Sequence, residues 1–324
     1  MRLRKLGERE LLALIRKHFS IPRKDVVLGI GDDAAIIRPG RGRLLVTKDL
    51  IVEDSDFIFR LQDPRMLGRK SLNVNLSDIA AMGGRALYSV LGLGLPNDIS
   101  LDWVVEFFAG FKEAGREGGT ILVGGDISQA AKVLVSVTVI GEAGRAVLRS
   151  GAQPGDRIFV SGTLGDAKQG LVLYKKGCHL GENATADIFL KAFLDPKPRT
   201  ALGRRLAAGR VASAMIDCSD GLSVDLNHIC EASGAGAEID LARIPMSPAL
   251  RSFQKNPLPM ALHGGEDFEL IFTAAPRNLP KVAALGKSLP LTEIGRIIRG
   301  RGIKTVDEKG RLRGLEIKGF EHFR

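Results

Sequence analysis

Hydrophobic positions along the chain predict a mixture of helices and strands. Between Leu6 and Phe19 apolar side chains recur at helical spacing, which predicts an amphipathic helix. A longer helix is predicted from Pro64 to Met82, because proline favours the first helical turn and Gly83-Gly84 follows as a stop signal. A third helix is predicted from Leu101 to Glu117, where Gly118-Gly119 follows.

Short apolar runs between these helices predict strands in the first half of the chain. The last of them alternates valine with serine or threonine, as a half-buried strand does. These strands are Ala34 to Ile37, Arg43 to Val52, Ala86 to Leu95, Thr120 to Val123 and Val133 to Ile140.

The second half of the chain also mixes both kinds of element. Its predicted strands are Arg157 to Val160, Ala214 to Ile216 and Glu269 to Thr273. Its predicted helices are Ala167 to Lys176, Ala184 to Phe193, Arg199 to Ala208, Leu222 to Ala232 and Pro276 to Leu285. Strands and helices do not alternate strictly, so the pattern favours two α+β domains over one doubly wound sheet. A turn cluster from Gly151 to Asp156 places the boundary just before it, giving domains of residues 1–148 and 149–324.

Length and composition agree with two globular cores. The chain has 324 residues, of which 44% are hydrophobic, and no apolar run approaches the length of a membrane span. Three cysteines without metal-ligand spacing indicate a reducing compartment, so a cytoplasmic protein is expected. The formal net charge of +10 suits anionic small substrates or nucleic acid. Two Tyr and one Trp offer little surface for stacking on bases, so nucleic acid is not favoured as a partner.

Five short segments combine Asp or Glu with Gly, Ser or Asn. Carboxylate oxygens beside accessible backbone amides are what a complex of magnesium with a polyphosphate requires, so the set predicts a magnesium–nucleotide site. The segments are Gly29 to Ala35, Asn75 to Asp78, Gly124 to Asp126, Asp217 to Gly221 and Gly264 to Asp267.

Each segment taken alone has a simpler explanation. Asp78 shares a helical stripe with Asn75 but is also compatible with a solvent-exposed position. Gly124-Gly125-Asp126 is equally compatible with a hairpin turn. Ser219 or Asp220 can serve as a helix cap as well as a ligand. No P-loop, nucleophile elbow or zinc spacing of histidines is present, so none of those chemistries is indicated.

Taken in order, these segments resemble the thiamine-monophosphate kinase family, within the wider group that includes aminoimidazole ribonucleotide synthetase. The resemblance covers nearly the whole chain and is most specific at Asn75 to Gly83 and Gly264 to Leu270. It implies an N-terminal mixed sheet that forms a barrel in a homodimer, and a C-terminal α/β sandwich that completes the nucleotide and substrate site. It also implies transfer of the ATP γ-phosphate to thiamine monophosphate without a covalent catalytic residue.

The resemblance also implies roles for individual residues. Mg²⁺ ligands would come from Asp32, Thr47, Asp49, Asp78, Asp126, Asp217 and Asp220, and Lys48 stands at a further ligand position of the family although it departs from the family pattern there. ATP would be contacted by Gly125, Asp126, Arg149 and Ser219, and the acceptor by Asp56, Glu266 and Phe320.

Three positions depart from the family pattern. Lys48 stands where a hydroxyl residue is expected near a metal, and Asp54 replaces a glycine. Asp56 stands where a histidine is expected to meet the substrate phosphate, and a carboxylate there repels an anion. Two alternatives therefore stay open: an enzyme of the same scaffold with a different acceptor, and a nucleotide-binding protein that has lost turnover or uses its basic C-terminus to bind nucleic acid.

Overall fold

The computed structural model describes residues 24–28, 36–37, 40, 43–287, 289–307 and 310–319. The helix predicted between residues 6 and 19 lies outside them. The chain forms two compact units, the first within residues 1–79 and 85–143 and the second from residues 80–84 and 144–324. Whether two domains divide at residue 148 stays a prediction.

The first unit is built on a mixed four-stranded sheet in the order β3-β6-β4-β5. Only β4 and β5 run parallel, and α2 connects them. Two short strands, β1 (Val26–Leu28) and β2 (Ile36–Ile37), pair separately. The other elements are β3 (Arg43–Val52), α1 (Pro64–Ala81), β4 (Arg85–Leu95), α2 (Leu101–Gly118), β5 (Ile121–Gln129) and β6 (Leu134–Ala143).

Helices α1 and α2 approach each other unusually closely. A Cβ on Gly68 would lie 2.0 Å from the carbonyl oxygen of Phe107, and one on Gly110 would lie 1.8 Å from that of Arg65. Both glycines are therefore required by backbone contact between the helices. Around this crossing, Phe107 and Phe111 are buried in the core that α1 and α2 share with the sheet.

The second unit is built on a seven-stranded sheet in the order β13-β12-β9-β11-β7-β10-β8. Its strands are β7 (Arg157–Ser161), β8 (Ala212–Asp217), β9 (Gly236–Asp240), β10 (Leu270–Ala274), β11 (Leu291–Ile298), β12 (Ile303–Val306) and β13 (Leu312–Gly314). Its helices are α3 (Asp166–Lys175), α4 (Ala184–Leu194), α5 (Thr200–Ala208), α6 (Leu222–Ser233), α7 (Pro248–Phe253), α8 (Leu258–His263) and α9 (Leu279–Leu285). All pairs are antiparallel except β9 with β12.

Helices cover both faces of this sheet. Ile158 and Val160 of β7 belong to the core that contains α6, whereas Phe159 between them packs with Phe272 in the core that contains α5. Successive residues of a strand point to opposite faces, so the apolar run in β7 serves two cores. The predicted mixed α+β architecture is confirmed.

A buried ion pair lies in the second unit. Glu269 is 4% exposed and accepts hydrogen bonds from Arg199 Nε at 2.6 Å and from Ser161 Oγ at 2.5 Å. Burial raises the pKa of Glu269, and the adjacent guanidinium opposes that shift. A Cβ on Gly162 would collide with the same carboxylate, so glycine is required there.

The observed elements differ from the predicted ones mainly at irregular positions. β5 continues through Gly124-Gly125-Asp126 to Gln129, so the hairpin-turn alternative is wrong. The predicted helix at 276–285 begins with a 3-10 turn, Pro276–Asn278, before α9. Strands β1, β9 and β11–β13 and the short helices α7 and α8 were not predicted. Among the described residues, every helix is too short or too polar to span a bilayer.

Candidate functional site

Thr47, Asp49 and Asp78 lie on the helix-covered side of the first sheet. Alternation along β3 puts Thr47 and Asp49 on the face of Leu45 and Ile51, which pack into the core with α1. Thr47 Oγ1 donates a hydrogen bond to Asp78 Oδ2 over 2.5 Å. The structure thus brings two predicted metal ligands together, and the alternative of a merely solvated Asp78 is wrong.

Asn75 lies one helical turn before Asp78 and is fully buried. Its Nδ2 donates to the carbonyl oxygen of Ser71 at 3.1 Å. No donor among the described residues reaches its Oδ1, which leaves a buried acceptor without a hydrogen bond. Such acceptors are uncommon in folded proteins. An amide oxygen next to a carboxylate and a hydroxyl forms an oxygen donor set that fits Mg²⁺.

Lys48 lies on the other face of β3. It is exposed, sits between Val46 and Leu50, and is directly opposite Thr138 of β6. Alternation therefore separates its ammonium group from the face of Thr47 and Asp49. A metal held by Thr47 and Asp49 would therefore not be contacted by the Lys48 ammonium group.

A β-bulge precedes Asp126. Pairing of β4 with β5 shifts between Ser89 and Val90, which leaves Val123 as the extra residue. Bulges commonly redirect side chains next to functional sites. A Cβ on Gly125 would lie 2.1 Å from the carbonyl oxygen of Leu91, so only glycine fits at this position.

Residues paired across neighbouring strands lie on the same face of a sheet. Asp126 pairs with Gly92, Gly92 pairs with Ser136, and Ser136 pairs with Leu50 of β3. Asp126 therefore lies on the face opposite to Thr47 and Asp49, and its Oδ2 accepts from Ser128 Oγ at 3.2 Å. Its grouping with Asp78 stays a prediction.

The loop after β3 explains two departures from the family pattern. Asp54 has a φ of 69°, a left-handed conformation that glycine adopts without strain. Its carboxylate pairs with Lys132 at 2.8 Å. Asp56 Oδ2 accepts a hydrogen bond from the backbone N–H of Val52 at 2.8 Å, so this carboxylate stabilises its own loop. The structure therefore gives Asp56 a local role that a sequence comparison alone does not show.

In the second unit, β8 leads directly into the segment Asp217 to Gly221. Asp217 is 4% exposed and pairs with Leu270 of β10. Gly221, not Ser219 or Asp220, is the N-cap of α6, and no side chain of its own caps that helix end. The capping alternative for Ser219 and Asp220 is therefore wrong.

Asp225, which the sequence analysis missed, provides this capping. Its Oδ2 accepts from the backbone N–H groups of Asp220 at 3.1 Å and Gly221 at 3.0 Å. Oxygen atoms of Asp220 and Asp225 and a ring nitrogen of His228 all lie within 4.8 Å of one another. Burial, followed by the charges of Asp220 and Asp217, raises the pKa of Asp225 to about 8. A cation held by this group would favour its ionised form.

The segment Gly264 to Phe268, called the strap below, lies against the Asp217 segment. The backbone N–H of Glu266 donates to the carbonyl oxygen of Ser219 at 2.8 Å, and that of Phe268 donates to Cys218 at 2.8 Å. A Cβ on Gly265 would lie 2.3 Å from the Ser219 oxygen, which explains a glycine there. Glu266, a predicted acceptor-binding residue, is thus held close to Ser219, a predicted ATP-binding residue.

The C-terminal residues that the structure describes also reach this segment. Ser223 Oγ donates to the carbonyl oxygen of Lys318 at 2.5 Å, and Gly319 packs against the backbone of Asp220. Phe320 and Asp32 lie outside the described residues. Arg149 is exposed in the second unit, where its carbonyl oxygen accepts from Ser233 Oγ at 3.4 Å.

Comparison with known proteins assigns the family. The AIR synthase related protein N-terminal domain matches residues 31–143, and the corresponding C-terminal domain matches residues 153–308. A thiamine-monophosphate kinase from Aquifex aeolicus is 36% identical, with all of both chains covered. The chain belongs to the thiamine-monophosphate kinase family. The resemblance found in the sequence is confirmed.

Two solved structures extend the comparison. The thiamine-monophosphate kinase of Stenotrophomonas maltophilia has a TM-score of 0.85 and 39% identity, with 94% of this chain and 96% of that one covered. A second structure, AaThiL complexed with AMPPCP and TMP, has a TM-score of 0.80 and 35% identity over 100% and 99% of the two chains. The similarity to solved structures of the thiamine-monophosphate kinase family therefore covers the whole chain.

Proposed function

We propose that this protein transfers the γ-phosphate of ATP to thiamine monophosphate and so forms thiamine diphosphate. The observation that carries the proposal is the full-length similarity to a structure that holds AMPPCP, an analogue of ATP, together with TMP. The oxygen-rich groups on β3, α1 and the Asp217 segment suit a reaction between two anionic phosphates. The acceptor phosphate is already ionised, so positioning and charge neutralisation suffice and no covalent nucleophile is needed.

The donor atoms fit Mg²⁺, which would neutralise negative charge on the phosphates when bound. In the first unit we assign it to Thr47, Asp49 and Asp78, and in the second to Asp217 and Asp220. Asp126, which lies on the other face of the first sheet, is proposed as a ligand at a separate position, and Asp32 is a further proposed ligand. The Thr47–Asp78 hydrogen bond fixes the Asp78 carboxylate, and the buried Asn75 amide adjoins it. The Gly125 backbone, Arg149 and Ser219 would contact ATP. Glu266 and Phe320 would contact the acceptor, where the Glu266 carboxylate suits the positive thiazolium ring.

A direct assay tests this proposal. Purified protein is incubated with ATP, MgCl₂ and thiamine monophosphate, and thiamine diphosphate is quantified by chromatography. Asp78→Asn is expected to lower kcat at least about a hundredfold, because it removes a charged ligand. Asp102→Asn removes an exposed carboxylate from the first turn of α2 and serves as the matched control. Equal activity of Asp78→Asn and wild type would refute the metal assignment.

A different acceptor is the second candidate, because Asp56 stands where the family pattern has histidine. The same assay with ADP release as readout compares thiamine monophosphate with thiamine and with other phosphorylated heterocycles. ADP release with another acceptor alone would establish this alternative. If none of the acceptors tested gives ADP release, both candidate functions are refuted. Asp56→His tests the loop directly, and it loses the hydrogen bond from Val52, so its folding is checked in parallel.

We further propose a homodimer formed through the outer face of the first sheet. Leu44, Val46 and Leu50 of β3 are 53%, 68% and 58% exposed, and Leu134 of β6 on the same face is 36% exposed. Such an apolar sheet face is suited to burial against a second copy, which would close the barrel expected for the family. Val46→Lys is expected to give a monomer by light scattering. Ile188→Lys, at a 48% exposed position on α4, is the control.

The three free cysteines support a cytoplasmic location.

A further inference from the structure

Asp267 joins the strap to the N-terminus of α3. Its Oδ2 accepts a hydrogen bond from the backbone N–H of Gly165 at 2.9 Å, and its Oδ1 accepts from Gly165 and Ala167 at 3.1 and 3.3 Å. Gly165 is the N-cap residue of α3, and no side chain of its own caps that helix. Asp267 therefore performs the capping from a distant loop, where the partial positive charge of a helix N-terminus favours a carboxylate.

The backbone on both sides of Asp267 is strained. Glu266 and Phe268 have φ values of 73° and 50°, in the left-handed region that side chains rarely adopt. Strained conformations persist only when surrounding contacts hold them, and they concentrate at functional sites. In the strap those contacts include the two backbone hydrogen bonds to Ser219 and Cys218 and the attachment of Asp267 to α3.

This geometry separates the roles of two neighbouring acids. Asp267 is turned to the α3 N-terminus, where both of its oxygens accept hydrogen bonds. Glu266 has its backbone tied to Ser219, next to Asp220. The left-handed conformation of Glu266 thus depends on the hydrogen bonds that its neighbour Asp267 accepts at the N-terminus of α3.

We propose that Asp267 is a positioning residue for the acceptor: by capping α3 it holds the strap in its left-handed conformation and thereby presents Glu266 to the cationic ring of thiamine monophosphate. The inference rests on the proposed function for the identity of the acceptor. Asp267 itself does not contact the substrate in this scheme, so its loss affects acceptor binding through Glu266 and leaves ATP binding unchanged.

Steady-state kinetics of Asp267→Asn and Asp267→Ala test the proposal. The asparagine retains one acceptor oxygen, whereas the alanine retains none. We expect KM for thiamine monophosphate to rise about tenfold in Asp267→Ala and less in Asp267→Asn, while KM for ATP stays within about twofold. Asn183→Ala removes the side-chain cap of α4, which accepts from Thr185 and Ala186, and controls for the loss of a helix cap elsewhere in the same unit. Equal effects on the KM values of ATP and of the acceptor would overturn the proposal.

A double-mutant cycle with Glu266→Ala tests whether Asp267 acts through Glu266. If it does, Asp267→Ala adds little once Glu266 is gone, so the double variant has the KM of Glu266→Ala alone within about twofold. Independent effects would raise the KM of the double variant about tenfold above that of Glu266→Ala, and that result would refute the positioning role.

Hydrogen exchange separates this inference from the proposed function, because it needs no substrate. In wild type the amides of Glu266 and Phe268 are protected by their bonds to Ser219 and Cys218. Asp267→Ala is expected to accelerate exchange in the peptide spanning residues 264–269 at least about tenfold, and Asn183→Ala is not. Unchanged exchange would overturn the inference even if thiamine monophosphate is the acceptor. Accelerated exchange in a protein inactive on thiamine monophosphate would leave the strap anchor standing and refute the proposed acceptor.

Discussion

Replacing Gly110 by alanine should destabilise the protein, although alanine is the better helix former. The new Cβ would lie 1.8 Å from the carbonyl oxygen of Arg65, whereas a normal carbon–oxygen contact is about 3.5 Å. Helices α1 and α2 must therefore separate by more than about 1 Å at their crossing. Overpacking of this kind costs about 1–3 kcal/mol, and the gain in helix propensity offsets at most about 1 kcal/mol. Because the overlap is severe, the cost lies at the upper end of that range, so we expect a net loss of about 2 kcal/mol in the free energy of unfolding.

Urea denaturation followed by tryptophan fluorescence measures this loss. The single tryptophan, Trp103, lies on α2 and stacks on Phe59 and Phe107 with ring centroids 5.6 and 5.7 Å away. Its emission therefore reports directly on the packing that the substitution disturbs. Gly286→Ala is the control, because the nearest atoms to its Cβ would be 3.5 Å away and its backbone is already helical.

Gly68→Ala probes the same crossing from α1. Its Cβ would lie 2.0 Å from the carbonyl oxygen of Phe107. Once one substitution has separated the helices, the second should cost little, so the double variant should lose less stability than the sum of both single variants. A Gly110→Ala protein as stable as wild type would show that the close approach does not constrain the fold.

Three further outcomes follow from buried groups. Arg199→Met leaves the Glu269 carboxylate buried without its cation and should lower the free energy of unfolding, measured in urea, by about 3 kcal/mol. Adding Glu269→Leu should recover most of this loss, and equal stability of the single and the double variant would contradict the expectation. Mass spectrometry should find that iodoacetamide labels Cys178 in the native protein and all three cysteines in urea. Cys218 and Cys230 are buried, and burial raises the pKa values of both thiols, that of Cys230 to about 11. Native labelling of Cys218 would refute the described burial. In EDTA, the native protein retains a proton on Asp225 (pKa about 8) that the unfolded chain releases near pH 4, so this group's contribution to stability falls between about pH 4 and pH 8. Between pH 5 and pH 8.5 the free energy of unfolding of the wild type should fall by an amount on the order of a few kcal/mol that Asp225→Asn does not show. Identical pH profiles of stability for the wild type and Asp225→Asn would contradict the shifted pKa.

Sequence patterns predicted most of the helices and more than half of the strands, because the signals of these elements are local. Arg43 to Val52 was predicted with the observed bounds, and α1 was predicted to within one residue. The separation of Lys48 from Thr47 and Asp49 was also implicit in the alternation of a strand. The Thr47–Asp78 hydrogen bond was not predictable in the same way, since it depends on how α1 packs against β3.

The residues whose roles the sequence analysis missed act over both long and short distances along the chain. Asp267 was noted only as part of the acidic segment Gly264 to Asp267, because nothing near it in sequence indicates that it caps α3. Asp225 and His228 had a detectable signal, since acidic and histidine residues three apart share one helix face directly after Asp220. Strand β13 escaped notice because its three residues, Leu312 to Gly314, are exposed and carry no alternation.

The strand order of the second unit also has a consequence for biosynthesis. β7 is the first strand of this sheet to leave the ribosome, yet its two hydrogen-bonded neighbours, β10 and β11, are only the fourth and fifth of the seven strands. More than a hundred residues separate β7 from β10 in the sequence. Because translation proceeds at about 5–20 residues per second, β10 is synthesised at least several seconds after β7. During this interval an apolar segment destined for two cores has both edges unpaired, so a chaperone is expected to be needed most while residues 157–270 are being translated.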